Sequence, residues 1–190
     1  MAGRRPGGPD TRGEILTAAR ESFASKGFDR TSIRGVARDA RVDAALVHHY
    51  FDGKEELFIA ALELPVDPRV VAATLVQGPI DDLGVRILTA FLGVWESADG
   101  QSRMKAMVRG AVTSDEVAKM LREGITRMIL GPVAARLGTP DAAQRVALVA
   151  SQMMGLVLVR YVLELEPIAS ASTEELIARV APTLQAYLTD

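Results

Sequence analysis

Apolar residues recur along almost the whole chain with helical spacing, and no stretch longer than a few residues alternates as a half-buried strand does. Ile15, Leu16, Ala19 and Phe23 make one such face, and Ile33, Val36, Ala37 and Ala40 fall at i, i+3, i+4 and i+7 of another. The pattern confines the chain to an all-α fold. A length of 190 residues allows one or two small domains with a real core. Pro65 and Pro68 punctuate the helical pattern, so the domain boundary is expected there, with one domain over 1–64 and a second over 65–190.

Start and stop signals divide the pattern further. Thr11 and Glu14 read as a T-x-x-E capping box for a first helix over about 12–26, and Gly27-Phe28 reads as a Schellman stop. Thr31 or Ser32 caps a short second helix, and Asp43 caps a third over 44–51 with Val47 and Phe51 turned inward. A fourth begins at Lys54 after the Asp52-Gly53 break. Beyond the boundary, helices are expected at about 68–76, 80–97, 101–112, 114–137, 141–165 and 173–188, with Gly131-Pro132 kinking or splitting the fourth of these. Asp81-Asp82 and Glu174-Glu175 sit at helix starts, where carboxylates serve as dipole partners rather than as acid-base pairs.

Composition removes several kinds of chemistry. The chain has no cysteine, which excludes disulfides, thiol catalysis and Cys-based metal sites, and its two histidines are adjacent at 48 and 49. Helix neighbours do not face each other, so no catalytic triad, metal site or cofactor is expected. The opening MAGRRPGGPDTRG lacks the apolar run of a signal peptide, so a cytoplasmic location is expected. The most apolar window, 146–163, is interrupted by Ser151, Gln152 and Arg160 and reads as a buried core helix rather than a membrane span.

Two short helices joined by a turn of three or four residues, flanked by further helices, form a helix-turn-helix arrangement over about 33–52. At 1.5 Å per residue the segment 44–51 is roughly 12 Å long, about the width of a B-DNA major groove. With Val47 and Phe51 turned inward, Ala45, Leu46, His48 and His49 form the outward arc, with Ala44 at its tip. Thr31 and Ser32 at one helix start, and Lys54 at another, put free backbone N–H groups where phosphate oxygens would lie. Arg4, Arg5 and Arg12 make a small basic arm.

From T-R-x-x-I-L-x-A-A at residue 11, through TSIRGVARDARVDAALVHH, to Y-F-x-x-K-E-E-L, residues 11 to about 62 resemble the amino-terminal domain of the TetR family of bacterial transcriptional regulators. The resemblance implies a homodimer carrying two DNA-binding heads on a palindromic double-stranded operator. It also implies a helical carboxy-terminal domain for effector binding and dimerisation, and a small-molecule effector that releases the DNA. Residues 141–188 resemble the last two helices of such proteins more weakly. The chain departs from the family pattern at Arg41, where the turn usually holds Gly, and at Ala44, Ala45 and His48. Arg41 is expected to reach a phosphate.

The helix from Asp141 is apolar nearly all round, which calls for cover on both sides. An identical helix from a second chain would supply it, with Val149, Met153, Leu156 and Val157 at the dimer interface and Ala150, Ser151 and Gly155 as small residues for close approach; a fully enclosed central helix is the alternative. Phe91, Trp95, Met104, Met107, Met128 and Met153 are the expected lining of an effector pocket, with Met120 on a stripe facing the same interior and Arg109, Gln152 and Arg160 as its polar candidates; the effector expected is mainly apolar, with an acidic or a carbonyl group. The expected activity is that of a repressor; an activator of the same family, or a helical small-molecule binding protein that does not act on DNA, are the rival readings.

Overall fold

The computed structural model describes residues 10–97 and 99–190. Among them there is no strand. The helices are α1 (Thr11–Lys26), α2 (Ile33–Asp39), α3 (Ala44–Tyr50), α4 (Lys54–Leu62), α5 (Pro68–Gln77), α6 (Leu83–Trp95), α7 (Gly100–Thr113), α8 (Asp115–Ile125), α9 (Gly131–Leu137), α10 (Ala142–Val157) and α11 (Thr173–Thr189). Two π-helical turns, Thr126–Leu130 and Leu158–Val162, follow α8 and α10.

The helices gather into two compact units. The first runs to Glu63 and takes in Gly110–Gly124 as well; the second is Leu64–Arg109 with Ile125–Asp190. The segment 110–124, expected in the second domain, therefore belongs to the packing of the first. Its anchors are specific. The Phe28 amide donates to Glu123 Oε2 at 2.8 Å, the Lys119 ammonium reaches the Ser25 carbonyl at 3.4 Å, and Gly124 is buried beside Leu62 and Phe58. Phe23, Phe28 and Phe58 form an aromatic group, Phe23 and Phe58 meeting edge to face with centroids 4.8 Å apart. Such pairs add about 0.5–1.5 kcal/mol beyond burial.

Local details depart from expectation in instructive ways. Asp10, not Thr11, precedes α1, and Thr11 is buried within the helix, so the T-x-x-E pattern does not act as a capping box. Gly27 ends α1 at φ 82° with its N–H on the Phe23 carbonyl, and Phe28 stacks on Phe23. At Gly131-Pro132 the helical run continues without a break. It widens into the π turn just before, where the Gly131 N–H reaches back to the Thr126 carbonyl. Proline at 132 removes a donor and crowds the carbonyl four residues earlier, and the wider turn absorbs that conflict.

In the second unit α6 lies against α11. The approach is close because Gly84 has no side chain: a Cβ there would stand 2.7 Å from the Ala181 carbonyl and 2.8 Å from the Gln185 nitrogen. Gln185 fastens the contact, accepting from the Gly84 N–H at 2.9 Å and donating to the Ile80 carbonyl at 2.9 Å. Pro182 lies inside α11, within the helix expected over 173–188. Replacing Gly84 by Ala should force backbone apart and cost about 1–3 kcal/mol. We expect thermal denaturation to show a midpoint lowered by several degrees, and an unchanged midpoint would refute the close-approach account.

Candidate nucleic-acid interface

The first unit builds an outward-facing α3 step by step. Ser32 caps α2 by accepting the Gly35 N–H at 3.1 Å, while Val36 and Ala37 are buried. The end of α2 is a Schellman motif: the Val42 N–H bonds the Ala37 carbonyl at 2.9 Å and the Arg41 N–H bonds the Arg38 carbonyl at 3.1 Å. Arg41 occupies its left-handed position, at φ 57°. Glycine is the usual residue there, because a Cβ in that region costs about 1 kcal/mol or more. Asp43 then caps α3, its Oδ1 accepting the Ala45 N–H at 2.8 Å.

Val47 and Phe51 are buried, and this fixes the roll of α3. His48, His49 and Ala45 are exposed, with Ala44, Leu46 and Tyr50 half-buried beside them. The His49 and Tyr50 rings touch at 5.2 Å. Arg41 is exposed next to this face, as are Arg34 and Arg38 on α2, which sequence reasoning had not singled out. Their signal was present: positions 34 and 38 lie one turn apart on the side of α2 opposite buried Val36 and Ala37. Arg12 extends over the Phe51 ring, 5.4 Å from its centroid. Arg4 and Arg5 of the expected arm lie outside the described residues.

The side chains of two residues at the expected phosphate positions make internal contacts. Thr31 is buried, its hydroxyl donating to the Gly27 carbonyl at 2.8 Å with the Ser22 carbonyl at 3.1 Å, so its side chain is a strut of the α1–α2 turn. Lys54 donates to the Asp29 carbonyl at 3.1 Å and lies over the Phe28 ring at 4.4 Å. Ser32 is exposed, but its oxygen is committed to the cap.

In the second unit, Trp95 and Met153 share one buried apolar cluster, with Phe91 and Met104 half-buried against it. Met128 is buried and Met107 half-buried, but neither is among that cluster's residues. Met120 packs in the first unit, and Arg109 is exposed, so neither belongs to the interior expected for it. The expected dimer residues Val149, Met153, Leu156 and Val157 are buried in their own subunit's core and are not available to a partner. The outward side of α10 and its π turn carries Leu148, Met154, Leu158 and Val162, each about half exposed, with exposed Ser151 and Gly155 among them. Ser151 and Gly155, expected as small residues for close approach, lie on this outward side rather than on the buried one.

Comparison with known proteins accords with this layout. Residues 15–61 match the family described as bacterial regulatory proteins of the tetR family, and residues 81–188 match the tetracyclin repressor-like carboxy-terminal domain. A TetR-family regulator of Streptomyces coelicolor A3 with a known crystal structure is 40% identical, with full coverage of both chains and a TM-score of 0.51. A transcriptional regulator from Rhodococcus sp. Rha1 is 25% identical over 93% of this chain and 95% of its own, with a TM-score of 0.50. The HTH-type transcriptional regulator BetI of Agrobacterium fabrum is 27% identical over 89% of this chain and 85% of its own length. With an exposed recognition helix on a capped, buried footing and family matches across both units, the chain belongs to the TetR family of bacterial transcriptional regulators, which act by binding DNA and are not enzymes.

Proposed function

We propose that the protein is a repressor that sits as a homodimer on a palindromic operator and leaves it when a small, mainly apolar effector enters the second unit. The observation that carries the DNA half of this reading is the exposed His48–His49 face of α3, flanked by exposed arginines 34, 38 and 41. Imidazole N–H groups can donate to guanine N7 and O6, and the Ala44 and Ala45 methyls suit thymine C5-methyl groups. So short a list of long polar side chains leaves much of the specificity to DNA shape. Arg41 holds a left-handed conformation that a glycine would take without cost, and a phosphate contact accounts for an arginine there. A DNA-bound regulator of this kind works in the cytoplasm.

The partner that completes the molecule is a second copy of the chain, seated on the outward side of α10. Positions 148, 151, 155, 158 and 162 fall at steps of three and four on one stripe, and a Cβ added at Gly155 would meet nothing within 4 Å. Small residues at the middle of such a stripe let two helices approach closely. Ala142–Val162 is long and apolar enough to cross a membrane. One buried face and one face awaiting a protein partner account for that composition without lipid. Two heads held this way would read half-sites about 34 Å apart, or further apart if two dimers share an operator. The continuous run 115–137 carries chain from the effector unit into the head's packing, and Glu123 on α8 grips the Phe28 amide. A shift of that run on effector binding is the route by which the heads lose their spacing.

Gel shift against genomic fragments tests the reading directly. We expect specific retention that weakens about 1000-fold between 50 and 200 mM salt, as about six phosphate contacts per dimer, from arginines 34, 38 and 41 of each head, require. His48→Ala with His49→Ala should abolish fragment selection while leaving the melting midpoint within a degree or two, both side chains being exposed. Absence of any retained fragment at low salt would sink the proposal. Arg41→Gly separates fold from function: thermal stability should rise by about 1 kcal/mol while operator affinity falls. A variant with unchanged affinity would remove Arg41 from the interface. For the dimer, Leu158→Glu and Gly155→Arg should convert the protein to monomers in size-exclusion chromatography with light scattering. Leu156→Ala should instead cost about 2–5 kcal/mol of stability and leave the assembly intact. The opposite pattern would restore the inner face as the interface.

A further inference from the structure

The second unit buries a polar group that the apolar core does not need. Arg160, on the π turn after α10, has a side chain only 10% exposed. Its Nη1 donates to the Ile168 carbonyl at 2.7 Å and the Ala171 carbonyl at 2.8 Å, and its Nη2 to Glu96 Oε1 at 3.1 Å. Glu96 also accepts from the Thr173 hydroxyl at 2.6 Å and the Tyr161 hydroxyl at 3.4 Å. The Tyr161 ring stacks on Trp95 with centroids 4.7 Å apart, and burial pushes the Tyr161 phenol above its usual range. Two groups in this neighbourhood stand apart. Trp95 Nε1, on a residue 1% exposed, and Arg160 Nε are buried and meet no acceptor in the protein.

Buried polar groups are nearly always paired, so two orphans beside one another's partners point to something missing. Both are donors, so the missing partner is an acceptor. The guanidinium charge already faces the Glu96 carboxylate, and a second carboxylate brought here would be repelled by the first. A neutral oxygen, of the carbonyl kind, meets the demand. The same cluster supplies Met153 and Val157, with Phe91 and Met104 half-buried at its margin, where a pliable thioether can give way. A π turn carries both Arg160 and Tyr161, and such turns recur at functional sites.

We propose that Trp95 Nε1 and Arg160 Nε anchor the neutral carbonyl end of an otherwise apolar effector. This rests on reading the second unit as the effector domain. It assigns the effector a chemical class: an uncharged ketone, ester or lactone type of molecule rather than an acid or an amine.

Trp95 is the sole tryptophan, so its emission reports on the site without labels. The full chain is titrated with 2-decanone, decanoate and decylamine, followed by Trp95 emission and by calorimetry. We expect 2-decanone to alter the emission and to bind about 10-fold more tightly than either charged probe. Trp95→Phe keeps a ring and removes the N–H; it should weaken 2-decanone about 10-fold, while the smaller ring lowers the ligand-free melting midpoint by a few degrees through the cavity it leaves. Glu96→Gln leaves the guanidinium uncompensated and should shift preference towards decanoate. The proposal is overturned if 2-decanone does not bind, if Trp95→Phe binds it as tightly, or if decanoate or decylamine binds the wild type best. A gel shift run in parallel keeps the two readings apart. DNA retention without ketone binding defeats the anchor alone, whereas ketone binding without any DNA retention upholds the anchor and defeats the regulator.

Discussion

The head depends on the packing of Phe23, Phe28 and Phe58, which draws together elements far apart in sequence. Phe23 comes from α1, Phe58 from α4, and Phe28 from the turn that leads into α2. Around Phe28 the polar contacts close in: its amide is held by Glu123 and its ring is covered by the Lys54 ammonium. Thr31 ties the same turn to α1 through buried carbonyls. With this turn fixed, α2 leaves it at a set angle, and the Schellman motif at Arg41 with the Asp43 cap sets the start of α3. Burial of Val47 and Phe51 does the rest, since a helix of two turns with two inward anchors has one way to present its remaining side chains.

What could be read in the sequence was whatever is local and periodic. Ser32 and Asp43 act as caps because their oxygens need only reach two or three residues along the chain. The helix starts near Pro68 and Thr173 and the stop at Gly138 follow equally local rules. The outward arc of α3 followed from two apolar positions at i and i+4. Where local cues were ambiguous, the reading slipped: Thr11 and Glu14 have the spacing of a capping box, yet the helix starts one residue earlier and buries the threonine. Thr31 and Ser32 were equally good caps on paper, and only tertiary packing chose between them.

The rest was not legible because it is non-local. Nothing in 110–124 announces that Glu123 will accept the Phe28 amide 95 residues away. A helix apolar on all sides, such as α10, carries no signal for which face meets its own core, and only the packing shows that Val149, Met153, Leu156 and Val157 do. Pro132 and Pro182 illustrate how a fold accommodates a residue that should end a helix. One is absorbed by a wider turn, and the other is carried within α11, beside the carbonyl that Gly84 approaches. Glu96, at the end of α6, meets the Arg160–Tyr161 pair on the π turn after α10, so their meeting belongs to topology rather than to any motif.

The inclusion of 110–124 in the first unit bears on how such a regulator can be rearranged. Grafting only the leading sixty-odd residues onto a foreign sensor would strip Leu121 and Gly124 from the interior and leave the Phe28 amide without its acceptor. A working chimera has to bring both stretches of chain, and its splice points fall within helices rather than in the proline-marked linker. For this molecule the modular unit is discontinuous, so domain exchange is a matter of transplanting a fastening together with the part it fastens.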